Sequence, residues 1–143
     1  MKRGFFEIIV PWLCIFGFGC QDDSAVNPNG DTYMLQLYSS WEWVTSVGGY
    51  AVTVRTPQST GQTAKIAFFP DGRVQYFRND TLVNEVTYTV KKDTSFSPAS
   101  YLIHYNSTTY SPDQFIQYSG TDTLYLVDAC MDCYRHTYFK LYE

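Results

Sequence analysis

Cys130 and Cys133 are the residues whose types and spacing most directly suggest chemistry, because two thiols stand three positions apart. The first and fourth residues of a tight turn lie within about 7 Å of each other, which meets the distance requirement of a disulfide. Paired cysteines tend to be oxidised outside the cytoplasm. We therefore expect a disulfide in a hairpin turn, which contributes only about 2 kcal/mol because the closed loop is short.

Other interpretations of this cysteine pair stay open at this stage. A redox-active pair needs a thiolate stabilised at a helix N-terminus, whereas this pair lies between two predicted strands. A metal site would recruit His136 together with Asp128 or Asp132, but the sequence lacks the second, distant half of a structural zinc site. Two unpaired thiols are the third alternative. We predict neither a metal nor a cofactor.

The two histidines, His104 and His136, are the candidates for general-base catalysis. A catalytic base needs a nucleophile or a carboxylate within hydrogen-bond reach. The spacing supplies no such partner for either, so we predict that both are ordinary strand residues and that the protein is not an enzyme. An enzyme would instead gather titratable groups in one cleft, with one of these histidines among them.

Aromatic residues make up 18% of the chain and include 13 tyrosines, an excess that has two interpretations. Tyrosine is a common strand residue that packs well on a pleated surface. It also forms rigid binding surfaces with a polar tip. If the chain binds a small ligand, the candidate lining residues are Trp43, Tyr76, Tyr88 and Tyr105.

The N-terminus has the organisation of a secretory signal. Lys2 and Arg3 precede an apolar stretch over 8–19. That stretch is too short for a relaxed crossing of about 30 Å of hydrocarbon, so it indicates a cleaved signal peptide rather than a spanning helix. We predict a signal peptide over 1–19.

Cys20 follows this stretch after Gly-Phe-Gly and resembles the lipidated cysteine of a bacterial lipobox. We predict a lipid on Cys20 and a flexible tether within 20–36. The lipid would anchor the protein to a membrane of the cell envelope, as an outer-membrane lipoprotein that faces the periplasm or the cell surface. A plain secreted protein and a short N-terminal anchor are the alternatives.

Over 37–143, polar and apolar residues alternate with a period of two, which indicates β-strands. In the first strand this alternation gives one face Trp41, Trp43, Thr45 and Val47, and it gives the opposite face Ser40, Glu42 and Ser46. No segment of ten or more residues shows a helical period. The pattern predicts eight or nine short strands.

Turn residues separate these strands. Pro70–Gly72 combines a residue that fixes φ with one that accepts positive φ, and Asn79, Asp80 and Gly120 mark further reversals. Short connections favour pairing between sequential neighbours. We therefore predict an all-β domain: one antiparallel up-and-down β-barrel of about eight strands, with a β-sandwich as the alternative.

Five short motifs are spread along the predicted strands. They are a Trp-bearing first strand ending in Gly-Gly, a Phe-x-x-Asp-Gly hairpin, an Asp-Thr-Leu strand, an Asp-x-Cys-x-Asp segment and a Tyr-rich last strand, and they correspond to Trp41–Gly49, Phe68–Gly72, Asp122–Leu124, Asp128–Asp132 and Tyr134–Tyr142. Together they resemble the small lipocalin-like lipoproteins of Bacteroidetes. The resemblance implies a lipid-anchored, eight-stranded barrel whose interior is often apolar.

The chain departs from true lipocalins at two positions. Ser39 stands where the Gly-x-Trp motif has glycine, and Lys140 stands where an arginine stacks on Trp41. The resemblance implies a protein that binds a small, partly apolar ligand in the barrel mouth or interior. A non-enzymatic interaction or scaffold module with a solidly packed barrel is the alternative, and the volume of the interior separates the two.

The net charge of −4 bears on the choice of partner. Nucleic acids are bound through clustered lysines and arginines, and this acidic chain has no such cluster. We therefore predict no nucleic-acid partner.

Overall fold

The computed structural model describes residues 32–94, 99–107 and 112–142. The predicted signal peptide over 1–19 and Cys20 lie outside these residues. The described chain forms two short helices and nine strands, which are α1 Thr32–Leu37, β1 Ser40–Gly48, β2 Thr53–Arg55, α2 Pro57–Thr60, β3 Ala64–Phe68, β4 Arg73–Arg78, β5 Thr81–Asp93, β6 Ser100–Tyr105, β7 Gln114–Ser119, β8 Thr123–Asp128 and β9 Tyr134–Lys140.

Eight of these strands form a closed antiparallel barrel. From β3 to β9 each strand pairs with the next, β1 pairs with β3, and the pairing of β1 with β9 closes the ring. Strand β2 lies outside the ring and pairs with residues 46–48 of β1. The predicted all-β, up-and-down barrel is confirmed, and the chain does not adopt the alternative sandwich.

A β-bulge in β1 changes which of its side chains face the barrel interior. The register against β9 shifts between Trp43 and Thr45. Beyond this point Ser46 is buried, with 5% of its surface exposed, whereas Val47 is 37% exposed. The shared face predicted for Trp41, Thr45 and Val47 is therefore wrong beyond the bulge, because one extra residue reverses the alternation of all that follow.

The barrel half next to α1 has an apolar core. Met34 and Leu37 are buried against it, and the indole N–H of Trp41 donates a 3.0 Å hydrogen bond to the carbonyl oxygen of Leu37. The ammonium of Lys140 lies 5.8 Å from the Trp41 ring centroid, where the lipocalin resemblance expects an arginine. Burial of each large apolar side chain stabilises the fold by about 1.5–3 kcal/mol, so this half supplies much of the folding free energy.

Both helices lie where the sequence predicts irregular structure. Helix α1 falls at the end of the predicted tether, and its apolar residues Met34 and Leu37, one turn apart, face the barrel together. Helix α2 lies in the loop before β3 and begins at a capping box, in which Thr56 and Ser59 exchange side-chain and backbone hydrogen bonds. The described residues contain no helix whose length and apolar character suit a membrane crossing.

Candidate functional site

The barrel wall has an opening between β1 and β3. One edge of β1 pairs with β3 at residues 40–42 and with β2 at residues 46–48, so the segment between them has no strand partner on that side. A cavity of about 260 Å³, here called the mouth cavity, lies at this opening, at the end of the barrel opposite α1. Its lining includes Trp43, Ser46, Arg55, Arg78, Tyr134, His136 and Tyr138.

Ser46 and His136 meet in the wall of the mouth cavity because they are direct cross-strand partners in the β1–β9 ladder. The Ser46 hydroxyl oxygen lies 2.6 Å from Nδ1 of His136. The indole N–H of Trp43 donates a 2.8 Å hydrogen bond to the same oxygen. The bulge in β1 makes this contact possible, since it turns Trp43 and Ser46, three positions apart, to the same side.

Asp128 continues the chain of polar contacts on the other side of the imidazole. Its Oδ1 lies 3.3 Å from Nε2 of His136 and accepts a 2.7 Å hydrogen bond from Nε2 of Gln114. Its Oδ2 accepts a 3.2 Å bond from the backbone N–H of Tyr134. The Tyr105 hydroxyl in turn donates a 2.7 Å bond to Oε1 of Gln114. The polar network therefore runs from Trp43 to Tyr105 across the barrel interior.

The charge of Asp128 is stabilised by its partners. Burial acts to raise the pKa of Asp128, but hydrogen bonds from His136 and Gln114, attraction to His136 and the Tyr134 N–H outweigh it, so the pKa lies below its usual value. The side chain is only 8% exposed. An ionised carboxylate here favours a proton on Nε2 of His136, which leaves Nδ1 as the acceptor for the Ser46 hydroxyl in the neutral ring.

Two arginines give the mouth cavity a positive charge. Neither Arg55 nor Arg78 forms an ion pair within the part of the chain that the structure describes. The guanidinium carbon of Arg55 lies 5.0 Å from the Tyr134 ring centroid, which is a cation–π distance. Two unpaired arginines on one cavity of an acidic protein favour a ligand that brings its own negative charge.

The four aromatic residues predicted to line a ligand site do not share a cavity. Trp43 lines the mouth cavity. Tyr76 and Tyr105 lie in the barrel interior with ring centroids 6.4 Å apart, and burial is the main cause of the raised pKa of Tyr105. Tyr88 lies towards α1, where its ring packs edge-on against Phe68 at 5.3 Å. Trp43 alone of the four is placed to meet a ligand in the mouth cavity.

Cys130 and Cys133 are joined by a disulfide, as their spacing predicts, with their Cα atoms 5.6 Å apart. The bond closes the hairpin between β8 and β9 at the rim of the mouth. The metal alternative would use these sulfurs with Asp128, whose ligand atom lies within 4.8 Å of both. Two sulfurs bonded to each other are not thiolate ligands, so the oxidised pair does not support that alternative.

The two histidines have different surroundings. His104 is exposed on the outer surface, where its Nδ1 lies 2.8 Å from Oδ1 of Asp113. His136 faces the mouth cavity between Ser46 and Asp128. The spacing in the sequence indicates no partner for His136, but the strand register supplies a hydroxyl and a carboxylate.

Sequence reasoning missed Ser46 and Gln114 as site residues, and it considered Asp128 only as a metal ligand. Ser46 was hidden by the bulge, which has no clear signal in the sequence. Asp128 and Gln114 do carry one, because each occupies an inward position of a strand whose other inward residues are Leu, Ile or Tyr. A polar residue at such a position requires a buried partner.

The arrangement combines an imidazole, a hydroxyl and a carboxylate with two arginine side chains and an aromatic wall. Groups of this kind can hold a small anionic molecule, and they can pass a proton between neighbouring atoms. Comparisons with protein-family models, with curated proteins and with solved structures found no match.

Proposed function

We propose that the protein is a lipid-anchored, extracytoplasmic barrel that binds a small, partly apolar ligand in its mouth cavity through an anionic group. The observation that carries the proposal is the pair of arginines, Arg55 and Arg78, which lie on a cavity with an aromatic wall and form no ion pair among the residues that the structure describes. The guanidinium groups suit a carboxylate or phosphate, and the rings of Trp43 and Tyr134 suit the apolar remainder of the ligand.

The mouth cavity is a better candidate than the apolar half of the barrel. An eight-stranded barrel has an interior that side chains can just fill. Trp41, Ile103 and Leu124 do so here, with no exposed surface, and α1 covers that end. Side chains therefore fill the barrel interior next to α1, whereas the mouth cavity has space for a ligand of modest size.

A surface interaction module is the second candidate. Three apolar side chains near the mouth are largely exposed, namely Tyr50 at 95%, Val52 at 69% and Met131 at 94%. Tyr50 and Val52 lie on the β1–β2 turn and Met131 on the disulfide hairpin, and the two turns touch through a hydrogen bond from Gly49 N–H to the Cys133 carbonyl oxygen. Exposed apolar residues in one patch are typical of protein interfaces.

Substitution of the two arginines tests the binding proposal. A hydrogen bond to a charged group contributes about 1.5–3 kcal/mol, so Arg55→Gln and Arg78→Gln should each weaken binding about tenfold or more, and the double variant about a hundredfold. Small aromatic and aliphatic carboxylates and phosphates, each beside its neutral amide or alcohol, would be screened by thermal shift and then measured by calorimetry.

Arg73→Gln is the matched control, because Arg73 is paired with Asp71 at 2.7 Å and does not line the mouth cavity. It should bind the same ligands as the wild type does. The binding proposal fails if no anionic compound raises the melting temperature, or if the neutral counterparts bind as tightly.

The lipid anchor is proposed from the N-terminal sequence, in which a basic start and an apolar stretch precede Cys20. The full chain, expressed in a Gram-negative host, should fractionate with membranes and carry a diacylglycerol on Cys20 by mass spectrometry. Cys20→Ser should move the protein to the soluble fraction, whereas Cys14→Ser should not. Membrane retention of the Cys20→Ser protein contradicts the anchor.

A further inference from the structure

The wall of the mouth cavity contains a serine, a histidine and an aspartate in hydrogen-bonded order. Ser46 lies 2.6 Å from Nδ1 of His136, and Asp128 lies 3.3 Å from Nε2 of the same ring. This order of nucleophile, base and orienting carboxylate is the one that activates a serine hydroxyl for attack on a carbonyl. The roles follow from geometry, and the order of the residues along the chain is irrelevant to them.

We propose that Ser46, with His136 as its base, hydrolyses small esters that enter the mouth cavity. The inference rests on the proposed function in one respect, namely that the cavity admits small molecules. It adds a chemical step to binding, and it names the substrate class as an ester small enough for about 260 Å³ and preferably bearing an anionic group.

The reaction uses water as its only co-reactant. The Ser46 oxygen attacks the ester carbonyl carbon while its proton passes to Nδ1 of His136. The tetrahedral adduct collapses, the alkoxide takes that proton and leaves as an alcohol, and the acyl group stays on Ser46. Water then attacks the acyl carbon and gives a proton to Nδ1, and the proton returns to Ser46 as the acid departs.

The surroundings of the three residues suit this role. Asp128 is fixed by Gln114 and by the Tyr134 N–H, so it holds the imidazole in one orientation. Ser46 and His136 both line the mouth cavity, so the hydroxyl and its base meet the same bound molecule.

Positive charge for the oxyanion is present on the same cavity. Arg55 and Arg78 form no ion pair with a carboxylate among the described residues, and cations near a developing oxyanion stabilise the transition state.

A neutral serine-directed reagent, diisopropyl fluorophosphate, tests the inference on the intact folded domain. The wild type should gain one diisopropylphosphoryl group, mapped to Ser46 by peptide mass spectrometry. Ser46→Ala should gain none. His136→Asn should react at least about 100-fold more slowly than the wild type, as expected when a general base is lost. Hydrolysis of 4-nitrophenyl acetate should fall in parallel.

His104→Asn is the matched control, because His104 also contacts an aspartate, Asp113 at 2.8 Å, but it forms no hydrogen bond with a serine among the described residues and is exposed elsewhere on the barrel. It should react as the wild type does. Circular dichroism and thermal melting of each variant identify any that fail to fold.

Labelling of the wild-type protein tests the inference even where a variant fails to fold. A folded wild type with no adduct on Ser46 overturns the inference, as does an adduct that forms equally fast in a folded His136→Asn protein. Because the reagent is neutral, its entry into the cavity does not require an ion pair with the two arginines. Anion binding without labelling supports the binding function and rejects hydrolysis. Labelling without anion binding supports hydrolysis and rejects the binding function.

Discussion

Replacement of Gly48 by alanine is expected to open the barrel between β1 and β9. A Cβ atom at this position would overlap the carbonyl oxygen of Cys133 and lie 2.7 Å from the Cα of Tyr134. Both are backbone atoms of the ladder in which Gly48 pairs with Tyr134, so neither can move aside without breaking the pairing. Overpacking costs about 1–3 kcal/mol and sometimes more, and we expect a loss at the upper end of this range.

Chemical denaturation of the two proteins measures this loss. Gly61→Ala is the comparison, because the space around Gly61 is open and only its φ of +66° opposes a side chain. That backbone strain costs about 1–2 kcal/mol. Equal losses of unfolding free energy for Gly48→Ala and Gly61→Ala would show that the close approach to the β9 backbone does not exclude a side chain at position 48.

Asp128→Asn is expected to be the most damaging single change within the polar network. Three donors converge on this carboxylate, from His136, Gln114 and the Tyr134 backbone. An asparagine replaces one acceptor oxygen with an NH₂ group, so at least one buried donor loses its partner. The free energy of unfolding at neutral pH should fall by about 2–3 kcal/mol.

The loss of unfolding free energy caused by Asp128→Asn should become smaller at acidic pH. The folded pKa of Asp128 is below its usual value, so the wild type has the full stabilisation above the unfolded pKa of about 3.9 and loses it as pH falls through the folded pKa. The variant has no such group to protonate. Urea denaturation from about pH 7 to about pH 3 measures the convergence of the two proteins.

Asp71→Asn supplies the comparison at the surface. Asp71 is paired with Arg73, and hydrogen bonding to Arg73 also lowers its pKa, but it is exposed to solvent. Solvent screens such a pair, so the change should have little effect at any pH. A difference for Asp128→Asn that stays constant across this pH range would mean that its charge is not what stabilises the network.

The barrel itself can be predicted from the sequence because its signals are local. Alternation marks the strands, and turn residues mark the reversals. Asn79 and Asp80 have φ values of +48° and +61°, as a two-residue hairpin between β4 and β5 requires. Sequential pairing then follows from the short connections, and closure follows once the first and last strands meet.

The site is harder to predict because its members come from distant parts of the chain. Ser46 and His136 are 90 residues apart and become neighbours only when β1 and β9 pair. Which face Ser46 occupies depends on the bulge, and the composition of β1 gives no sign of it. Asp128, which the sequence suggested only as a metal ligand, could have been placed in a buried network, since it is an acid at an inward position after Leu124 and Leu126.

The bulge in β1 also has a consequence at the level of the gene. Loss of one codon between those for Trp43 and Ser46 would restore unbroken alternation along the strand. Ser46 would then stand two positions after Trp43 and would still face the interior, and Val47 would still face outward. A single in-frame deletion therefore removes the bulge and keeps the polar mouth, so related genes can differ in strand length without a change in the side chains that line the interior.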